Sequence, residues 1–304
     1  MATQTRTALR EQPLDVVLRP ESPAEAAYRS AVLAPGFVPD RGLDLRYLGG
    51  RTFSELTFST VYLGHWEAAE QARLDPAIAA AMADPHLNNV LAQYFPGKPV
   101  SANFAGSHAH GGPTPARVYR DTVESIVGAL DLVGVACLLL PRGAVLVDGS
   151  SRRGQAAVRD PDDDVVDSRH GLGGYHGSIH SGARTIYYAV AVYSEGTNGI
   201  VAFDEPWKNV CATLYHELQE IRTDPDVEDA IRAGSTPAGE HLLGWYSPRG
   251  GEIGDVPLAV ATDLGAVLRE VPLADGSGTV PIQLMWSNAV GGPEGPISRP
   301  HPTT

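Results

Sequence analysis

The chain has 304 residues, 43% of them hydrophobic and 19% charged, which is the composition of a soluble globular protein with enough length for one large core or two modest ones. A formal net charge of −13 disfavours nucleic acid as a partner, since an acidic surface repels phosphate backbones, and no run nears the ~20 apolar residues of a membrane span. The opening MATQTRTALREQPLD lacks the apolar core of a secretory signal, and Cys137 and Cys211 sit in apolar surroundings that suit buried free thiols, so a cytoplasmic location is expected.

Residues 1–50 are expected to form an irregular N-terminal arm, because Pro13, Pro20, Pro23, Pro35 and Pro39 interrupt any long element; one short helix fits at 24–32. The run ELTFSTVYL at 55–63 alternates and is rich in β-formers, which predicts a strand closed by Gly64-His65-Trp66. Residues 67–94 are alanine-rich and predict helix, broken near Asp75-Pro76 and Asp84-Pro85, where aspartate caps the next helix. The proline- and glycine-rich stretch 95–115 predicts loop, and 116–130 an amphipathic helix. Two short buried strands are expected at 134–140 and 144–147. A long polar loop at 150–174 follows, carrying the aspartates of 160–164 and Asp167. Residues 184–193, RTIYYAVAVY, form the strongest strand pattern in the chain. Helices are expected at 206–222, with Asp204 as candidate N-cap, and at 227–233, and strands at 266–271 and 280–287. No internal repeat and no clean linker divides the chain, so one α+β domain is predicted at 51–304, behind the arm.

The chemistry concentrates in Leu214-Tyr215-His216-Glu217-Leu218-Gln219-Glu220. On a helix, residues four apart share a face, so His216 and Glu220 can point at one ion, with Glu217 beside them. This is the layout of the zinc-protease helix H-E-x-x-H with its second histidine replaced by glutamate, a harder ligand. In that scheme His216 and Glu220 ligate the metal and Glu217 takes a proton from the activated water. A third ligand must come from elsewhere. Glu252 and Asp255, in the glycine-flanked turn of Gly250-Gly251-Glu252-Ile253-Gly254-Asp255, are the candidates, and either can serve. Upstream, Gly173-Gly174-Tyr175-His176 precedes the strongest strand, beside which a zinc hydrolase would hold an extended substrate. His176 is a candidate fourth ligand, and His176 or Tyr175 a candidate oxyanion donor. Two weaker clusters are His108 and His110, an H-x-H pair in a predicted loop, and the aspartates of 160–164, which lack the spacing of a calcium loop. No G-x-S-x-G, P-loop or dinucleotide fingerprint occurs.

Several pieces then fall in order: Leu63-Gly64-His65-Trp66, Gly174-Tyr175-His176-Gly177-Ser178, His216-Glu217-x-x-Glu220 with Thr223-Asp224-Pro225, Gly244-Trp245-Tyr246, and Gly251-Glu252-Ile253-Gly254-Asp255. Over about residues 55–290 this order resembles the phosphate-induced protein (Exordium-like) family of plants, and more closely its bacterial relatives that carry the H-E-x-x-E helix. The resemblance implies a zincin-like metallopeptidase fold, with a mixed sheet packed on helices. It also implies that Glu217 belongs to one site with Glu252 or Asp255. The chain departs from those relatives in its lack of a recognisable leader and of cysteines for their disulfides.

The reading that follows is a metal-dependent hydrolase with zinc or another divalent ion, acting on a peptide or small-molecule amide. The alternatives are a lyase or cyclase of specialised metabolism using the same ion as Lewis acid, and a binding protein that keeps the fold without the reaction.

Overall fold

The computed structural model describes residues 32–149, 166–181, 184–234 and 236–301. The elements that build the domain are, in chain order, β1 (Glu55–Leu63), α1 (Ala68–Ala83), α2 (Pro85–Leu91), β2 (Ser101–His110), α3 (Arg120–Gly128), β3 (Val135–Leu139), β4 (Gly174–Ser181), β5 (Arg184–Ala191), α4 (Pro206–Thr223), α5 (Val227–Ala233), α6 (Asp255–Val260), β6 (Leu268–Pro272) and β7 (Thr279–Gln283). Five strands form one mixed sheet in the order β2-β1-β3-β5-β4. The first four run parallel, and β4 returns antiparallel to β5 as an edge strand. The molecule is therefore a single mixed α/β domain.

Alternation along the central strands loads both faces of the sheet. Phe58, Tyr62, Cys137, Leu139, Ala189 and Ala191 face one side, where Leu74, Ile78 and Met82 of α1 meet Val210, Leu214, Leu218 and Ile221 of α4. Val61, Leu63, Leu138, Tyr188 and Val190 face the other, covered by Val123 and Val127 of α3. Both cysteines are buried and unpaired. No helix among the described residues is long and apolar enough to cross a membrane.

β1 and α5 keep their predicted bounds. The strands expected at 134–140 and 184–193 and the helix at 206–222 are present as Val135–Leu139, Arg184–Ala191 and Pro206–Thr223, while other stretches depart from the expectation. α1 runs through Pro76 without a break. Leu74 and Ile78 are buried on either side of it, and Asp75 accepts hydrogen bonds from Thr60 and Tyr62 of β1 at 2.9 and 2.7 Å, so packing holds the turn that proline weakens. The second break is real, and Asp84 caps α2 through His86 N and Leu87 N. Residues 101–110 are a ten-residue strand and not a loop; pairing with β1 supplies what an exposed Ser/Ala/Gly/His composition does not announce. Gly174–Ser181 is likewise a strand. The predicted helix at 116–130 is shortened by the strand Arg117–Tyr119, which pairs with Val145–Val147. Asp204 does not cap α4: Glu205 holds that position, and Asp204 pairs instead with Lys208.

Residues 32–50 of the expected arm are packed down. Ala34 and Leu45 enter the core, Leu33 bridges to Glu294, and Arg46–Tyr47 pairs with Trp245–Tyr246. Residues 24–31 of the helix expected at 24–32 and the aspartates of 160–164 lie outside the described residues.

Candidate metal centre

Pro206 opens α4 at its first turn, where a missing N–H costs nothing. Val210, Leu214, Leu218 and Ile221 then form an apolar stripe at helical spacing that docks on the sheet and α1. A second stripe, Thr213, His216, Glu217 and Glu220, is buried as well. It is roofed by β4 on one side and by the turn Glu252–Asp255 with β7 on the other. A helix buried all round with a polar stripe is unusual, and those polar groups must satisfy one another or a ligand.

His216 Nε2 lies 3.1 Å from Glu220 Oε1 and 3.8 Å from Asp255 Oδ1. The ligand atoms of His216, Glu220 and Asp255 all lie within 4.8 Å of one another. His216 Nδ1 faces Gln283 Oε1 at 2.9 Å, and Gln283 Nε2 donates to the Gly254 carbonyl at 2.6 Å. Gly254 N donates to Glu220 Oε1 at 3.2 Å. A β-carbon on Gly254 would stand 2.5 Å from His216 Nδ1, so only glycine lets the turn come this close. Gln283, Gly254 and Asp224 were not among the predicted site residues.

On the other flank, β4 brings in His176. Its Nδ1 lies 3.3 Å from Glu217 Oε2 and 3.5 Å from Glu220 Oε2, and its Nε2 lies 3.3 Å from the Asp224 carbonyl and 3.6 Å from Glu252 Oε1. His176, Glu217 and Glu220 form a second group with ligand atoms within 4.8 Å. The two oxygens of Glu220 thus face two different imidazoles, which places His176 beside the motif helix. Gly174 lets β4 approach, for a β-carbon there would stand 3.1 Å from Glu217 Oε1.

The predicted residues separate as follows. His216, Glu217, Glu220, His176, Glu252 and Asp255 share one centre. Asp255, with a side chain 53% exposed, sits at its solvent side with His216, and Glu252 lies buried behind His176. Tyr175 does not line it. Strand alternation turns its ring to the opposite face of the sheet, edge-on to Tyr188 with the Arg120 guanidinium stacked over it, so it cannot serve as oxyanion donor. His108 and His110 lie on β2 and belong to neither group that could hold a metal among the described residues. A surface cleft of about 380 Å³ beside Phe53, Leu132 and Tyr187 contains none of the site residues.

The electrostatics follow from packing five carboxyls around two imidazoles. Burial opposes charge on His216, yet Glu220 outweighs it and lifts the imidazole to about 10. Burial likewise opposes ionisation of Glu220, but His216 and His176 hold it down at about 2. His176 is raised well above its ordinary range; Glu252, Glu217 and Glu220 outweigh its burial. Burial raises Glu217, raises Glu252 well above the carboxylate range, and lifts Asp224 to about 7. The Glu220 charge lifts Asp255 to about 6. Glu252 Oε1 and Asp224 Oδ2 are buried with no hydrogen-bond partner among the described residues.

Compared with protein-family models, with curated proteins and with solved structures, the chain matches none.

Proposed function

We propose that the protein is a metal-dependent hydrolase of zincin type, cleaving a peptide or small-molecule amide bond. The observation that carries this reading is the convergence of His216, Glu220 and Asp255 within 4.8 Å at the solvent side of a buried helix. One imidazole and two carboxylates are a hard N/O donor set that suits zinc and also admits manganese or iron. Asp255 is preferred over Glu252 as third ligand because its carboxylate converges with His216 and Glu220, whereas Glu252 belongs to neither group of converging ligand atoms among the described residues. The position of α4 under a mixed sheet, beside its antiparallel edge strand, supports the zincin-like and Exordium-like assignment.

A divalent ion at this place would polarise a carbonyl and acidify a water molecule toward neutral pH. Glu217, one residue on from His216 and raised by burial, accepts the proton of the attacking water and returns it to the leaving amine. His176 Nδ1 lies 3.3 Å from Glu217 Oε2 and confines that carboxylate. Both of its nitrogens face protein acceptors, so it is not assigned the oxyanion. The absence of a membrane-crossing helix among the described residues is compatible with a cytoplasmic enzyme.

The test is a screen of peptide and amide libraries with the metal-loaded chain, with Glu217→Gln run in parallel. Amide cleavage that is lost in Glu217→Gln and abolished by a chelator is expected. A chain that holds its metal and converts library members without breaking an amide contradicts the hydrolase reading in favour of a lyase or cyclase.

A further inference from the structure

We infer that Glu220 bridges two divalent cations, the second seated between His176 Nδ1, Glu217 Oε2 and Glu220 Oε2. The inference rests on the metal centre proposed above, whose ligand Glu220 it shares.

Four observations carry it. Glu220 presents one oxygen to each imidazole, Oε1 at 3.1 Å from His216 Nε2 and Oε2 at 3.5 Å from His176 Nδ1. That is the disposition of a carboxylate spanning two ions about 3.5–4 Å apart, the spacing of two-metal hydrolytic sites.

Each imidazole also has its outer nitrogen turned to an acceptor. His216 Nδ1 faces Gln283 Oε1, and His176 Nε2 faces the Asp224 carbonyl with Glu252 behind it. This backing fixes which nitrogen keeps its proton and leaves the inner nitrogen free for a metal. The same device occurs on both sides of Glu220.

Glu252 adds an independent sign. Its side chain is 8% exposed, and Oε1 has no hydrogen-bond partner among the described residues, 3.6 Å from His176 Nε2. A carboxylate buried in that way is costly unless positive charge stands close by. Charge balance agrees. Among the described residues Glu217, Glu220, Glu252, Asp224 and Asp255 converge on His176 and His216, and divalent ions there would hold more of these carboxyls ionised than two imidazoles do.

The competing account is that a protonated His176 itself serves as the cation between Glu217, Glu220 and Glu252. It predicts a single ion.

The experiment uses the full chain, stripped with chelator and dialysed, then titrated with Zn²⁺ under native mass spectrometry and with Mn²⁺ under electron paramagnetic resonance. Two bound ions are expected, and the manganese form should give the multiline signal of an exchange-coupled pair. His176→Gln should hold one ion. Glu252→Gln should weaken the second ion ~10–100-fold, the usual effect of removing an outer partner. The manganese spectrum of the unaltered chain needs no variant to fold. One ion at saturation with an isolated six-line signal, unchanged by His176→Gln, overturns this inference and leaves the single-ion hydrolase standing. No ion at all overturns both.

Discussion

Gln283 and His216 form an oriented pair. Gln283 Nε2 is committed to the Gly254 carbonyl at 2.6 Å, so its Oε1 must be the atom 2.9 Å from His216 Nδ1. A carbonyl oxygen only accepts, so Nδ1 keeps its proton, and Nε2, which faces Glu220 and Asp255, is the nitrogen that gives up its proton to an incoming ion. Strand β7 therefore sets the tautomer of a residue on α4. Gln283→Leu keeps most of the volume and removes the acceptor. It should weaken metal binding ~10–100-fold with little change in the circular dichroism spectrum. Competition against a chromophoric chelator measures this, and unchanged affinity would detach Gln283 from the site.

Gly254→Ala should act on the same imidazole by crowding. The new methyl meets His216 Nδ1 at 2.5 Å and Glu220 Oε1 at 2.9 Å, both of them buried atoms with little room to give. Lower metal affinity and a lower melting temperature are expected. Gly111→Ala, which meets nothing within 4 Å, is the control and should leave both unchanged.

Glu217→Gln separates proton acceptor from ligand. The side chain is nearly isosteric, so packing is retained. The ion at His216, Glu220 and Asp255 should stay, while activity falls ~10²-fold or more. Loss of that ion in Glu217→Gln, as in His216→Ala, would make Glu217 one of its ligands and break the zincin analogy.

The helix chemistry was legible because H-E-x-x-E states its own geometry: a period of 3.6 aligns His216 with Glu220 whatever surrounds them. β1 and β5 were legible from β-branched and aromatic runs. β2 and β4 were not, since Gly, Ser, Ala and His carry no strand preference and their pairing comes from β1 and β5. Tyr175 and His176 were read as one unit, and the strand that the glycines concealed sends them to opposite faces. Gln283 lies 67 residues from His216, a separation over which no sequence period operates. The glycine of the Glu252–Asp255 turn was visible, but the histidine it makes room for was not.

Metal binding should be proton-linked. Without an ion, His216 titrates at about 10, whereas Glu220, held at about 2, is already ionised at neutral pH. Below about pH 10 an incoming ion must displace the His216 proton, so affinity rises with pH by about tenfold per unit for each proton displaced. Above that value this contribution levels off. Calorimetry in buffers of different ionisation enthalpy counts the protons released. An affinity flat between about pH 6 and 8 would mean that no ligand proton is displaced.

The central claim is that His216, Glu220 and Asp255 hold a divalent ion. Its most direct test is elemental analysis of the full chain purified without chelator or histidine tag, beside His216→Ala. The account predicts about one equivalent or more in the unaltered chain. In His216→Ala the ion at that site is lost, together with its thermal stabilisation, since a ligand bound only to the folded state raises its stability. Less than about a tenth of an equivalent in the unaltered chain, with no shift in melting temperature on adding zinc, would contradict it.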